Sequence, residues 1–434
     1  MGKLKMAHHK GYKNKTIPSH MYHNFSVAPQ ADIPRSSFDR SHGLKTTFDA
    51  GFLIPILVDE ALPGDTFNTQ LSAFARLATP IFPIMDNMFM DTHYFSVAYR
   101  LVWDNWKKFN GEQANPDDSI DFTIPQMVAP ASTGYDPTDA SSPQGALQDY
   151  MGIPTKVASL SHSALFTRAY NLIWNEWFRD ENLQDSVKVD TDDGPDDPAD
   201  YVLLRRGKRH DYFTSSLPWP QKGDAVDLPL GTSAPIQTAS PQSGLSSGSV
   251  SVDTVTNVFY GTNEQSDPTK QLIADLSDAT AATINQLRQA FQVQKLLERD
   301  ARGGTRYIEI IRSHFGVRSP DARVQRPEYL GGGSTPIIVT PIAQTSSTDS
   351  TTPQGNLSAM GTASINRHGF TKSFTEHCII IGLVSVRADL TYQQGLNRMW
   401  SRSTRYDFYW PALSHIGEQA VLNKEIFAQG TSAK

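Results

Sequence analysis

The chain has a single cysteine, Cys378, in 434 residues. That excludes an internal disulfide framework and points to synthesis in a reducing cytoplasm, and it leaves the sequons at Asn24 and Asn356 with little meaning. Charged residues are also scarce, at 19% against roughly 25% in an average soluble protein. No apolar run approaches the ~20 residues of a membrane span, and no apolar segment follows the N-terminus as a secretory signal requires. Nor is there any acidic residue from Met1 to Ala31, a stretch holding Lys3, Lys5, Lys10, Lys13 and Lys15. With those five lysines and −6 overall, the remainder carries −11. A basic arm on an acidic body suits a flexible tail for a polyanion; the alternative is a solvated terminus.

What is present is mainly strand-like. FLIPILV (52–58) is apolar at both alternating sets, so both faces of that strand must be covered. HYFSVAYRLVW (93–103) places Phe95, Val97, Tyr99, Leu101 and Trp103 on one face at a period of two. CIIIGLVSVRADL (378–390) is the strongest late strand, with Thr335–Ile342 and Val250–Tyr260 as weaker candidates. Turn residues such as LPGD (62–65) separate them. The spacing between strands is irregular, which fits an antiparallel β-sandwich with long loops better than alternating strands and helices. Helical periodicity is confined to Ser163–Arg179, to about Asp278–Arg302 ending at Gly303-Gly304, and to Arg306–Phe315. The chain therefore reads as an arm and lead-in (1–45) followed by one domain (46–434). That domain carries a helical insertion (150–215), a Ser/Thr/Gly-rich loop (222–270) and a helical segment (271–330).

Reactive groups do not converge. Gly244–Gly248 fits G-x-S-x-G but lacks the strand before and helix after that a nucleophile elbow needs. DTDDGPDDPAD (190–200) has its glycine at the fifth position of a would-be calcium loop and Tyr201 in place of the bidentate Glu, so a solvated acidic turn is expected. His8, His9, His20 and His23 lie on the arm without carboxylates to orient them. Cys378 reads as a small buried residue, and Gly331–Gly333 lacks the Lys-Ser/Thr of a phosphate loop. No catalytic residue, metal or cofactor is expected.

Two stretches call for a partner. ATPIFPIMDNMFMD (78–91) has Pro80 and Pro83, which bar regular structure, beside side chains too apolar to leave wet. Ile81, Phe82, Met85, Met88, Phe89 and Met90 are expected at a contact between subunits. NRMWSRSTRYDFYW (397–410) interleaves Arg398, Arg402 and Arg405 with five aromatic residues. That composition suits a platform for single-stranded DNA, or arginines packed on aromatics at a subunit contact, the reading we favour. Three classes of function stand on these features: a self-assembling structural subunit, a soluble carbohydrate-binding or carbohydrate-cleaving β-sandwich, and a monomeric single-stranded DNA-binding protein.

Longer phrases decide among them. HNFSVAPQADIPRSSFDRSHGLKTTFDAGFLIPILVDEALPGDTF (23–67), FARLATPIFPIMDNMFMD (74–91), RLVWDNWKKFNGEQ (100–113) and the block from FTEHCIIIGLV to EIFAQGT (374–431) closely resemble the major capsid proteins of gokushoviruses, small tailless phages of the Microviridae with circular single-stranded DNA. The resemblance implies a viral jelly roll with long insertions, many copies of which build a T=1 icosahedral shell around the genome in the host cytoplasm. It implies other phage structural proteins and a host surface receptor as partners, with residues 222–270 in the place of the family's variable loop, which projects around the threefold axes. The family pattern continues past the position of Lys434, so the expectation is either that closing strands are missing here or that the fold is completed differently. Arg398, Arg402, Arg405 and the five arm lysines are the candidate DNA contacts.

Overall fold

The computed structural model describes residues 34–80, 84–138, 145–226, 236–238, 250–252, 259–261, 272–274, 284–318, 323–346, 348, 353–389, 391–414 and 419–430. The chain divides into two compact units, Met1–Thr46 and Thr47–Lys434. In the first, residues 34–46 form neither helix nor strand and are exposed.

The second unit is built on one antiparallel sheet of six long strands. In chain order they are β1 (Ile54–Ala61), β2 (Thr66–Arg76), β3 (Met88–Ala98), β10 (Glu328–Ala343), β11 (Leu357–Ser373) and β12 (Cys378–Ala388). The three-residue strands β4 (Gln126–Val128), β5 (Ser161–Ser163), β6 (Ile236–Thr238), β7 (Val250–Val252), β8 (Phe259–Gly261) and β9 (Leu272–Ala274) lie in the long connection between β3 and β10. The sheet order is β1-β12-β3-β10-β11-β2. β10 is shared: Glu328–Ile337 pairs with β3, while Ile338–Ala343 pairs with β11. From that shared strand the sheet folds over itself. Phe370 and Phe374 of the β11 side, with Phe67 and Leu71 of β2, pack on Tyr94, Ile380 and Ala61 of the other side, and the Tyr94 and Phe370 rings lie 5.3 Å apart. The result is a β-sandwich.

The burial of β12 explains its unbroken apolar run. Cys378, Ile380 and Val384 face the folded-over half, while Ile379, Ile381 and Leu383 face the opposite way into a second core. A strand covered on both faces has no polar side. Gly382 is small for a reason: a Cβ there would lie 2.8 Å from the Tyr94 ring. β2 shows the contrasting pattern, with Phe67, Leu71 and Ala73 turned inward and alternate residues exposed, as expected for a one-sided strand.

The second core is capped by helix α3 (Leu165–Trp177), preceded in the chain by short helices α1 (Trp106–Phe109) and α2 (Ala146–Tyr150). Leu165, Ala169, Tyr170, Ile173 and Trp174 form its buried stripe. The Tyr170 hydroxyl donates to the Leu53 carbonyl (2.8 Å) and accepts from the Leu204 amide (3.0 Å), fixing the helix to the start of β1. Arg168, on the same helix, is fully buried. Its Nε and Nη2 donate to both oxygens of Asp196 at 2.7 and 2.5 Å, and Nη1 donates to the carbonyls of Val102 and Asp192. The Tyr201 hydroxyl adds a third donor to Asp196 at 2.7 Å.

The acidic turn 190–200 is thus not simply solvated. Asp196 is buried against Arg168, Asp193 accepts from the Trp103 indole (2.7 Å), and Asp190 and Asp200 hold Lys188. Other expectations shift at their edges. The strand expected over 93–103 begins at Met88 and ends at Ala98, where Tyr99–Leu101 turn into a 3-10 helix. Val250–Tyr260 is two short strands: β7 pairs with β8, nested inside the pairing of β6 with β9. Helices α4 (Ile284–Gly303) and α5 (Tyr307–Phe315) fall where periodicity places them, and Gly304 takes the left-handed conformation (φ 96°) that favours glycine just past a helix.

Removing one partner of a buried, hydrogen-bonded pair strands the other charge, at about 3–5 kcal/mol. Asp196→Ala should therefore lower the unfolding free energy by about that amount, measured by urea denaturation of the purified protein. The double replacement Arg168→Met with Asp196→Leu should recover most of the loss.

Candidate assembly surface and nucleic-acid interface

Past β12 the chain has little regular structure, only short 3-10 turns at Arg398–Ser401, Arg405–Asp407 and Pro411–Leu413 and helix α6 (Asn423–Ile426). Local polar contacts hold it instead. Asn397 caps the first turn through the Met399 amide. Asp407 accepts from the amides of Thr404 (2.7 Å) and Ser403 (2.9 Å) and from the Thr404 hydroxyl, which lowers its carboxyl to about 2. The tail folds back on the strand-end segment: Leu396 donates to the Lys424 carbonyl and Ala428 to the Gln394 carbonyl.

This framework presents the arginine–aromatic stretch to solvent. The Arg402 guanidinium lies over Phe408 at 5.0 Å, and Arg405 lies over Tyr406 and Trp410 at 5.6 and 5.4 Å. Among the described residues, no carboxylate lies within ion-pairing distance of Arg402 or Arg405. Trp400, Tyr406 and Tyr409 are 72%, 66% and 79% exposed, far above what a solitary folded surface leaves in one place. Arg398 is more anchored, donating to the Ala420 carbonyl (3.0 Å) with Glu425 at 3.8 Å. The segment thus stacks cations on rings while leaving the rings open.

The stretch 78–91 divides. Ile81 and Phe82 lie outside the described residues. Met88 and Met90 are buried in the subunit itself, Met90 among Ile54, Ala363, Ile365 and Val384. Their expectation as intersubunit contacts is corrected, because β3 begins at Met88 and its pleat turns both side chains inward. Phe89 is half-buried beneath the guanidinium groups of Arg209 (5.2 Å) and Arg387 (5.0 Å). Met85 is 92% exposed, so among the four described residues of this set it is the one that the fold leaves open. The five arm lysines lie outside the described residues.

A buried charge cluster beside Phe89 carries no local signal in the sequence. Asp91 Oδ2 accepts from Arg206 Nη1 and Arg387 Nε, each at 2.6 Å. Burial opposes ionisation of Asp91, but those hydrogen bonds hold its carboxyl below the usual range. Burial and the Arg206 cation push the neighbouring His93 down to about 4, so it is neutral near pH 7. The strand register, which sets Asp91 opposite Ser385 and Phe89 opposite Arg387, brings Arg387 to Asp91, and Arg206 reaches it from the segment bonded to Gly51. Burial likewise pushes the Cys378 thiol up to about 12, leaving it unreactive. Among the described residues no cluster of His, Cys, Asp or Glu could hold a metal ion, and no helix is long and apolar enough to cross a membrane.

Further apolar surface lies open on β2, β10 and the helices: Phe74, Ile338, Ile284, Phe291, Tyr307 and Phe315 are all 64% exposed or more. A chain with this much uncovered apolar surface is shaped to be covered. Comparison with known proteins identifies the family. The chain is 51% identical to a capsid protein VP1 of Bdellovibrio phage phiMH2K over 95% of its own length and 80% of that protein's. It is 42% identical to capsid protein VP1 of Chlamydia phage 1 (96% and 82%) and 38% identical to that of Spiroplasma virus 4 (94% and 80%). These relatives are gokushovirus-type Microviridae. Residues 26–434 match the family described as capsid protein (F protein), and the chain belongs to that family, as a structural protein of the virion.

Proposed function

We propose that this capsid subunit closes into a T=1 icosahedral shell around a single-stranded DNA genome, through a jelly-roll body whose surface is completed by its neighbours. The observation that carries the reading is the open apolar surface, above all the 72–79% exposure of Trp400 and Tyr409 and the 92% exposure of Met85. The jelly-roll wrap is supported by connectivity: β1, β2 and β3 alternate between the two sides of the folded sheet, and so do β10, β11 and β12. Other phage structural proteins join the particle in this reading. Electron microscopy and sedimentation of the purified protein test it: closed particles or pentamers support it, and a monodisperse monomer at all concentrations refutes it.

Met85 belongs to a contact between copies, because its side chain has no cover in the subunit and methionine adapts well to such surfaces. Met85→Asp should leave a soluble subunit with an unchanged unfolding transition and no closed particles in sedimentation. Normal particle yield would remove Met85 from the interface.

The arm from Met1 to about His23 lines the inside of the shell and meets DNA phosphates through Lys3, Lys5, Lys10, Lys13 and Lys15. Lysine contacts to phosphate are independent of sequence and weaken with salt. Replacing all five with Gln should lower the DNA content of purified particles and its protection from nuclease while leaving the fold intact. Unchanged DNA content would exclude the arm as a packaging element.

Residues 222–270 form the outward loop that meets the host receptor. The support is compositional, since the stretch has few charges and too little apolar surface for a core of its own. Among the described residues, β7 pairs with β8 inside it and β6 pairs with β9 just beyond its end, none of them with the main sheet. A rigid scaffold tolerates such an insertion at small entropic cost. Deleting Asp224–Asp267 with a short Gly-Ser bridge should preserve assembly and abolish adsorption to host cells, read by a binding assay with labelled particles.

A further inference from the structure

A cleft of about 460 Å3 opens between the segment after β12 and the turn at Tyr212. Its aromatic walls are Tyr212, Phe213 and Tyr392, and Asn397, Arg398 and Glu425 supply its polar groups. Phe213 stands edge-on to Tyr392 at 4.4 Å and to Tyr212 at 5.0 Å. The Tyr392 ring is fixed from behind: its hydroxyl bonds Lys208 (2.6 Å) and Asp211 (2.9 Å), and Asp211 is itself paired with Lys208. Glu425 is buried, with one oxygen accepting from the Leu422 amide at 3.0 Å. The tail reaches this wall only because residue 395 is glycine; a Cβ there would sit 2.0 Å from the Glu425 carbonyl oxygen.

The dimensions and chemistry restrict the ligand. Flat aromatic walls with a few convergent polar groups in a cleft of several hundred Å3 suit a small planar group. The surroundings carry the charge of a polyanion's host. RRGKRH (205–210) precedes Asp211 and Tyr212; its Arg206 and Lys208 are paired with Asp91 and Asp211, while Arg205 and Arg209 are exposed, and Arg402 and Arg405 follow Arg398 without carboxylate partners among the described residues. An aromatic slot bordered by cations is the arrangement that stacks a base and tracks its phosphates. A neighbour's side chain would need no such border. We infer that this cleft receives an unpaired base of single-stranded DNA, stacked on Tyr212 with Phe213 edge-on beside it, and with Arg398 and its neighbours on the adjoining phosphates. The inference rests on the reading that the shell encloses single-stranded DNA.

The test compares a thymidine oligonucleotide with an abasic oligonucleotide of equal length, binding to the purified full chain at matched salt. Phosphate contacts treat the two alike, so the difference isolates the base. Removing an aromatic stacking partner should weaken binding of the thymidine strand about 5- to 150-fold. Tyr212→Ala, at an exposed position that folding does not require, is expected to show that loss for the thymidine strand and leave the abasic strand unchanged. Arg398→Gln should weaken both. Photo-crosslinking with 5-iododeoxyuridine in the strand should mark Tyr212, Phe213 or Tyr392. Equal wild-type affinity for the two oligonucleotides would overturn the cleft while leaving the DNA-filled shell standing, whereas affinity for neither would overturn both. Loss of assembly in Tyr212→Ala with unchanged base-dependent binding would assign the cleft to a neighbouring subunit's side chain and overturn the inference.

Discussion

The antiparallel pairing of β3 with β12 is the constraint from which the rest follows. Their eleven paired positions run from Cys378 opposite Ala98 to Ala388 opposite Met88. Because both strands are covered on both faces, this register decides which residues enter each core. A slip of one residue would exchange the two faces. It would place Phe95 and Ile381 where Tyr94 and Ile380 now meet the folded-over sheet, and it would move Asp91 and Arg387 away from each other. Layers pack on both faces of that pair, α3 and the 190–200 turn on one, β2 and β11 on the other, while β1 and β10 extend its two edges.

The electrostatics follow the same plan. Asp91 is held by two arginines and Asp196 by one arginine and a tyrosine, both in places where water is excluded. Such pairs are weak evidence of added stability, since removing the charges from water costs nearly what their attraction returns. Their consequence is positional. An arginine that reaches two carbonyls and both carboxylate oxygens can be satisfied in only one arrangement, so α3 has one seat on the sheet. The exposed Arg402 and Arg405 differ. They rest on rings and keep their charge toward solvent.

The sequence disclosed elements whose signal is local and hid those whose signal is not. β12 and β1 were legible because continuous apolar runs leave no other structure open, and α3 and α4 because their periodicity is long. β2 and β11 escaped. TFNTQLSAFAR alternates correctly but weakly, with Ala73 and Ala75 as its inward residues, and LSAMGTASINRHGFTKS carries glycines at 361 and 369 that local reading counts as turns. Their glycines are explained only by close approach: a Cβ on Gly369 would lie 1.9 Å from the Thr69 carbonyl oxygen. For the site, composition marked 397–410 but misassigned Met88 and Met90, whose direction depends on where β3 starts. The cleft at Tyr212 was invisible, since its walls come from segments about 180 residues apart in the chain.

β10 belongs to both sides of the folded sheet, with its first ten residues in one ladder and its last six in the other. A strand used in this way acts as a mechanical tie. Strain applied to the exposed β2–β11 side is carried along one continuous backbone to β3 and so to the core under α3. The body therefore yields as a single piece, without a seam between its layers, and a shell made of such pieces flexes at the joints between subunits.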